Sequence, residues 1–145
     1  MKSTALGILL LLTSLGAERQ QEHRTLDKIP TVSYCELIRN PNLYANKLVR
    51  VHATWKRGFE LSALYDVGCL DLENQAWLES LDDDQLCAGA PRRFKKLARE
   101  GFTKADVTVT GKLYAGERFG HLNGYNFKFV VSCLESAKQI PFEAP

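Results

Sequence analysis

The chain has 145 residues, 45% of them hydrophobic and 10% aromatic, enough for one domain with one core and too apolar for a disordered polymer. Lys plus Arg number 19 against 17 for Asp plus Glu, a net charge of +2. So even a balance gives no general electrostatic case for a nucleic-acid or membrane partner.

Taken from the start, Lys2 precedes the apolar run ALGILLLLTSLGA. The run is shorter than the ~20 residues a membrane helix needs, and its charged, apolar and small-residue regions follow in the order of a secretory signal peptide. Residues 1–17 are therefore read as a leader, with cleavage after Gly16 or Ala17, and the mature protein is expected to be secreted or periplasmic. Residues 18–30, ERQQEHRTLDKIP, are polar and aperiodic and read as a flexible linker. Export bears on Cys35, Cys69, Cys87 and Cys133: an even number outside the cytoplasm predicts two disulfides. Of the three possible connectivities, Cys69 with Cys87 and Cys35 with Cys133 is preferred. Spacings of 34, 18 and 46 residues contain no C-x-x-C knuckle, so no zinc site is expected.

The folded body is placed at residues 31–136, with 137–145 as a C-terminal tail. Ser33 and Glu36 have capping-box spacing at the start of a short helix, which Asn40-Pro41 stops. A turn begins at Pro41, and Asn46 suits a left-handed position. KLVRVHATWKRG alternates, with Val49, Val51, Ala53 and Trp55 on one face and Arg50, His52, Thr54 and Lys56 on the other, a half-buried strand. FELSALYDVG is a second strand. QAWLESL is a third, although a short helix fits it nearly as well. Asp82, Asp83 and Asp84 lack the spaced ligands of a calcium loop and read as solvated. PRRFKKLAREG is a helix opened by Pro91 and closed by Gly101, with Phe94 and Leu97 or Ala98 turned inward. Residues 105–134 form two strands and a long hairpin. Gly111 lets the first of them bend, and Asn123-Gly124 supplies the positive φ angles of the turn.

Five strands with a helix between the third and fourth is the order of the oligonucleotide/oligosaccharide-binding (OB) fold, so the expected class is mainly β with short helices, a five-stranded Greek-key barrel. CELIRNPNLYANKLVRVHATW resembles the opening of exported bacterial OB-like domains, in which an Asn-Pro and a Tyr precede a Gly-Lys-x-Val-x-Val strand. Asn40, Pro41, Tyr44, Lys47, Val49 and Val51 match, and Asn46 stands where the glycine is usual. VTVTGKLYAG and GHLNGYNFKFVVS resemble the closing hairpin of small secreted bacterial proteins of uncharacterised function. The resemblance spans roughly residues 33–135 and implies a fold, with no catalytic residues attached.

No G-x-S-x-G or H-E-x-x-H motif occurs, and no cofactor or metal is indicated. The three histidines fall in the linker (His23), on a polar strand face (His52) and in the hairpin (His121). An OB barrel takes ligands on the outward face of its second and third strands and on the flanking loops. That points to Arg57, Phe59, Tyr65, Trp77, His121 and Tyr125. The leading expectation is a monomeric, non-enzymatic module for a protein, peptide or glycan. A nucleic-acid or polyanion binder using Arg92, Arg93, Lys95, Lys96 and Arg99 is the alternative, and a small hydrolase, with a carboxylate pair drawn from Glu60, Asp66 and Glu79, the third reading.

Overall fold

The structure is a computed structural model that describes residues 26–80, 87, 90–97 and 101–141. The leader, most of the linker, the aspartate triplet and Arg99 lie outside the described residues. In chain order the elements are β1 (Thr31–Ser33), α1 (Tyr34–Arg39), a 3-10 turn (Pro41–Tyr44), β2 (Val49–Gly58) and β3 (Leu61–Tyr65). Two 3-10 turns (Val67–Cys69 and Leu72–Asn74) lead to β4 (Ala76–Ser80) and α2 (Ala90–Leu97). β5 (Thr103–Phe119), a 3-10 turn (His121–Asn123) and β6 (Tyr125–Ile140) complete the chain.

The sheet closes on itself in the order β2-β3-β4-β6-β5 and back to β2. β4 and β6 run parallel, and the other barrel neighbours are antiparallel. This is the five-stranded OB arrangement that the sequence leads one to expect, with α2 between the third and fourth barrel strands. β1 is an addition. Three residues are too few to show alternation, but the exposed edge of β2 recruits them in parallel, Val32 opposite Val51. Part of the expected linker is held here as well: the Arg50 amide donates to Pro30 O at 2.9 Å and its guanidinium to Leu26 O at 2.9 Å.

Alternation decides the core. Val49, Val51, Ala53 and Trp55 of β2 pack with Leu64, Ala76, Leu78, Val107, Val109, Phe129 and Val131 inside the barrel. Tyr34, Leu37 and Ile38 of α1 join the same cluster. Ser33 caps that helix with its Oγ 3.2 Å from the Glu36 amide, a bond of a kind worth ~1 kcal/mol. Only half of the expected capping box forms among the described residues, because the Glu36 carboxylate accepts instead from Asn40 Nδ2 at 3.0 Å. Asn40, at φ −126° and ψ 52°, ends the helix before Pro41, and Asn46 takes φ 60°.

The disulfides correct the preferred pairing. Cys35 joins Cys69 and Cys87 joins Cys133, with Cα separations of 5.7 and 5.2 Å. The turns after β3 lie against α1, where the Tyr34 hydroxyl shares its one proton between Leu64 O at 2.9 Å and Asn74 O at 2.8 Å. That brings Cys69 to Cys35 and leaves Cys133, on β6, for Cys87. Two disulfides suit an oxidising compartment. No helix among the described residues is long and apolar enough to cross a membrane.

The β5–β6 hairpin is longer than its sequence suggests. β5 passes Gly116 and ends at Phe119, and β6 continues to Ile140, so 137–140 are strand rather than tail. Those residues carry weak alternation, but the first half of β5 pairs with them, from Lys104 opposite Ile140 to Val107 opposite Ala137. Register shifts at Thr108/Val109, Thr110/Gly111 and Ala115/Phe119 bend the ribbon. Gly111 is required at its bend: a Cβ there would lie 2.2 Å from Val130 O. The turn differs from expectation. Leu122 and Asn123 take φ 52° and 53°, while Gly124 is right-handed at φ −77°. A five-residue connection that includes a 3-10 turn places the left-handed pair one position earlier than a two-residue hairpin does.

Candidate ligand-binding face

The outward face follows from the same alternation. Trp55, Leu64, Ala76, Leu78, Leu113 and Phe129 point into the core, so their strand neighbours face out. The register lines those neighbours up around the barrel: Lys56 opposite Ala63, Ala63 opposite Trp77, Trp77 opposite Lys128, and Lys128 opposite Tyr114. Ala63, the smallest member, sits beside the largest. The Lys128 ammonium lies 3.6 Å from Glu79 Oε2, 5.3 Å from the Tyr114 ring centre and 5.4 Å from that of Phe119. Lys56 Nζ stands 5.5 Å over the Tyr65 ring, and burial lowers its pKa. Cations held over ring faces are attracted by the aromatic quadrupole and fix the rings in place.

The β5–β6 turn folds down onto this row. Trp77 and Tyr125 meet with ring centres 5.5 Å apart at 55°, a tilted pair of the kind favoured between aromatics. Burial raises the Tyr125 pKa. Gly120 rests against both rings: a Cβ there would come within 2.7 Å of Trp77 and 2.8 Å of Tyr125. His121 Nε2 then reaches Glu60 Oε2 at 3.2 Å, which ties the β5–β6 turn to the β2–β3 turn across the face. Arg118 braces the turn from behind, donating to Asn123 O at 2.9 Å and to Asn126 Oδ1. Asn126 Nδ2 continues to Glu73 O at 3.4 Å.

Both turns hold non-glycine residues in the left-handed region: Glu60 at φ 54°, Leu122 at 52° and Asn123 at 53°. Each such residue stores of order 1 kcal/mol of backbone strain. The clasp between the turns is therefore made from strained segments. Leu122 stays 86% exposed at its tip.

The sequence candidates separate into groups. Trp77, Tyr125 and His121 converge through the contacts just described. Tyr65 faces outward beside them, yet is buried beneath Lys56. Arg57 lies at the end of β2 opposite Ser62 and Thr103, and Phe59 is 87% exposed in the β2–β3 turn; no described contact joins either to the Trp77 group. Glu60, Glu79 and Asp66, considered as a carboxylate pair, go separate ways: to His121, to Lys128, and to the Gly68 amide at 2.7 Å. His52 is remote from His121, its Nε2 2.8 Å from Asp106 Oδ1 on the β2–β5 side. Lys128, Tyr114, Phe119 and Gly120 were missed. The polar side of YNFKFVV marked Lys128 as outward, but its neighbours come from register and the folded turn.

On α2, Arg92, Lys95 and Lys96 are exposed, while the side chain of Arg93 lies outside the described residues. Leu97 packs on the core, and Thr103 Oγ1 donates to its carbonyl at 2.9 Å. A groove of about 410 Å³ runs between this helix and β6, lined by Lys96, Leu97, Leu134, Glu135 and Gln139. Glu135 is engaged there by Arg50, at 2.8 and 2.9 Å, and by Thr110 Oγ1 at 2.6 Å. Comparison with protein-family models, curated proteins and solved structures finds no match to this chain.

Proposed function

We propose that the chain is an exported, monomeric binding module, secreted or periplasmic, that takes a protein, peptide or glycan on the outward β3–β4 face. The observation that carries this reading is the Trp77–Tyr125 pair beneath a turn clasped by His121 and Glu60. Both rings are only half-buried under the turn, and their exposed parts give a flat apolar partner such as a sugar ring or an aromatic side chain a surface to stack on. Lys128, Glu79 and Glu60 around them supply polar groups for orientation, the composition expected of a small-ligand or peptide site. The face coincides with the part of an OB barrel that receives ligands.

The test is an oligosaccharide and peptide array probed with the full chain, followed by titration calorimetry of the strongest hit. Trp77→Ala should weaken that hit at least tenfold, since loss of one stacking ring removes ~1–3 kcal/mol. Retention of full affinity by both Trp77→Ala and Tyr125→Ala would place the site elsewhere. Exposed Arg92, Lys95 and Lys96 support a second reading, binding of a nucleic acid or other soluble polyanion. Its signature is an affinity that falls steeply with salt.

A further inference from the structure

A second surface lies at the end of the barrel where β2 finishes and β5 begins. The register gathers the strand ends there, Arg57 opposite Thr103, Lys104 opposite Ile140 and Asp106 opposite Lys138. The Thr103 hydroxyl attaches the last turn of α2 to the same end. Two phenylalanines project from it, Phe59 at 87% and Phe102 at 64% exposure. The Phe102 ring lies over Gly58, the residue before Phe59, where a Cβ would come within 2.4 Å of Cε1. Phe59 occupies a tight turn, so it stands on a convex tip rather than in a groove.

The elements that meet at this end carry exposed cations, on β2, α2 and β6. Arg57, Arg92, Lys95, Lys96 and Lys138 are exposed, and among the described residues none lies within salt-bridge distance of a carboxylate. Among the described carboxylates, Glu60 is engaged by His121, Asp106 by His52 and Glu135 by Arg50. Adjacent exposed large apolar groups mark an interaction surface. Exposed phenylalanines on elements that also carry Lys and Arg match the interfacial layer of an anionic bilayer, where rings enter at the headgroup boundary and cations meet phosphates. A soluble polyanion would use the cations and leave the rings in water.

We infer that this end of the barrel docks on an anionic lipid surface through Phe59, Phe102 and the basic groups around them. The docking goes beyond the β3–β4 site. The experiment is co-sedimentation of the full chain with vesicles of phosphatidylcholine and phosphatidylglycerol at 3:1, and with phosphatidylcholine alone. Partitioning onto the anionic vesicles is expected, with Phe59→Ser lowering it roughly tenfold. Lys95→Ala/Lys96→Ala should lower it roughly thirtyfold. Leu72→Ser, which removes an 82% exposed side chain from the β3–β4 connection, should leave it unchanged. Phe102→Ser is informative where its melting temperature is retained; Phe59, so far exposed, decides the matter alone if Phe102→Ser unfolds. Absence of binding to anionic vesicles overturns the inference, as does equal binding to phosphatidylcholine alone. Undiminished binding by Phe59→Ser would instead assign the cations to a soluble polyanion.

Discussion

Gly120→Ala tests whether the β5–β6 turn is seated on Trp77 as a discrete, separable contact. The residue has φ 73° and ψ −165°, a region that is essentially closed to residues with a Cβ and costs ~1–3 kcal/mol to occupy. The added methyl would also meet Trp77 at 2.7 Å and Tyr125 at 2.8 Å, inside any van der Waals distance. Overpacking of two ordered rings adds ~1–3 kcal/mol. Together these disfavour the closed turn by ~2–6 kcal/mol, and since each ~1.4 kcal/mol is tenfold, the closed-to-open ratio falls at least ~25-fold. The penalty is local, because neither Gly120 nor Trp77 belongs to the barrel core. The chain has two tryptophans, and Trp55 is buried with its indole donating to Ser62 Oγ at 3.2 Å. A red shift in fluorescence with little change in far-UV dichroism therefore reports Trp77 alone, and His121→Ala should produce a smaller shift in the same direction by removing the clasp. An unshifted emission spectrum in Gly120→Ala would mean that the turn is not packed on Trp77, and the account of the face would fall with it.

Tyr34→Phe removes a hydroxyl that serves two carbonyls and should lower stability by ~1–3 kcal/mol in urea melts. Burial, reinforced by Asp66 and opposed by a backbone hydrogen bond, raises the Tyr34 pKa in the fold. Its contribution is therefore complete below the unfolded value of ~10 and lost as pH rises from there through the folded value. Tyr125 shifts in the same direction, whereas Lys56, lowered by burial, gains stability as pH climbs toward ~10.4. On the alkaline side, burial of Tyr34 should thus make the wild type lose stability above pH ~10, and Tyr34→Phe should flatten that fall; an unaltered alkaline limb would contradict it. The disulfides close loops with sequence separations of 34 and 46, for which chain entropy predicts ~4 kcal/mol each. Cys35→Ser/Cys69→Ser should lower the urea midpoint by a third or more for a domain of ordinary stability. An unchanged midpoint would show that the Tyr34 hydrogen bonds hold the turns after β3 unaided.

The barrel was legible because strand alternation is a local property. KLVRVHATW and YNFKFVVSC each declare a buried face without reference to any other segment, and Pro91 and Gly101 bracket the intervening helix. What escaped was set by partners. Residues 31–33 become a strand because β2 has a free edge, and residues 137–140 because β5 starts well before the hairpin core. The disulfide pairing escaped for a related reason: Cys69 and Cys87 are the nearest pair in sequence, but the turns that carry Cys69 lie against α1 through the Tyr34 hydroxyl, beside Cys35.

The face was half legible, and the missing half follows from geometry. Alternation identifies Trp77, Lys128 and Lys56 as outward residues, but says nothing of which outward residues meet; that depends on register between strands far apart in the chain. Tyr125 shows the difference most clearly. It has the parity of Phe127 and Phe129, which by alternation alone would turn it toward the barrel interior, yet it contacts Trp77 on the outside. The ribbon is displaced between Ala115 and Phe119, and beyond a displacement of this kind the period-two rule no longer assigns a side chain to its face. The bulge thus places Tyr125, Gly120 and His121 over β3 and β4 instead of extending the ribbon into solvent. A deletion that restored regular pairing between Ala115 and Phe119 would preserve every side chain of the face except those deleted and still separate His121 from Glu60.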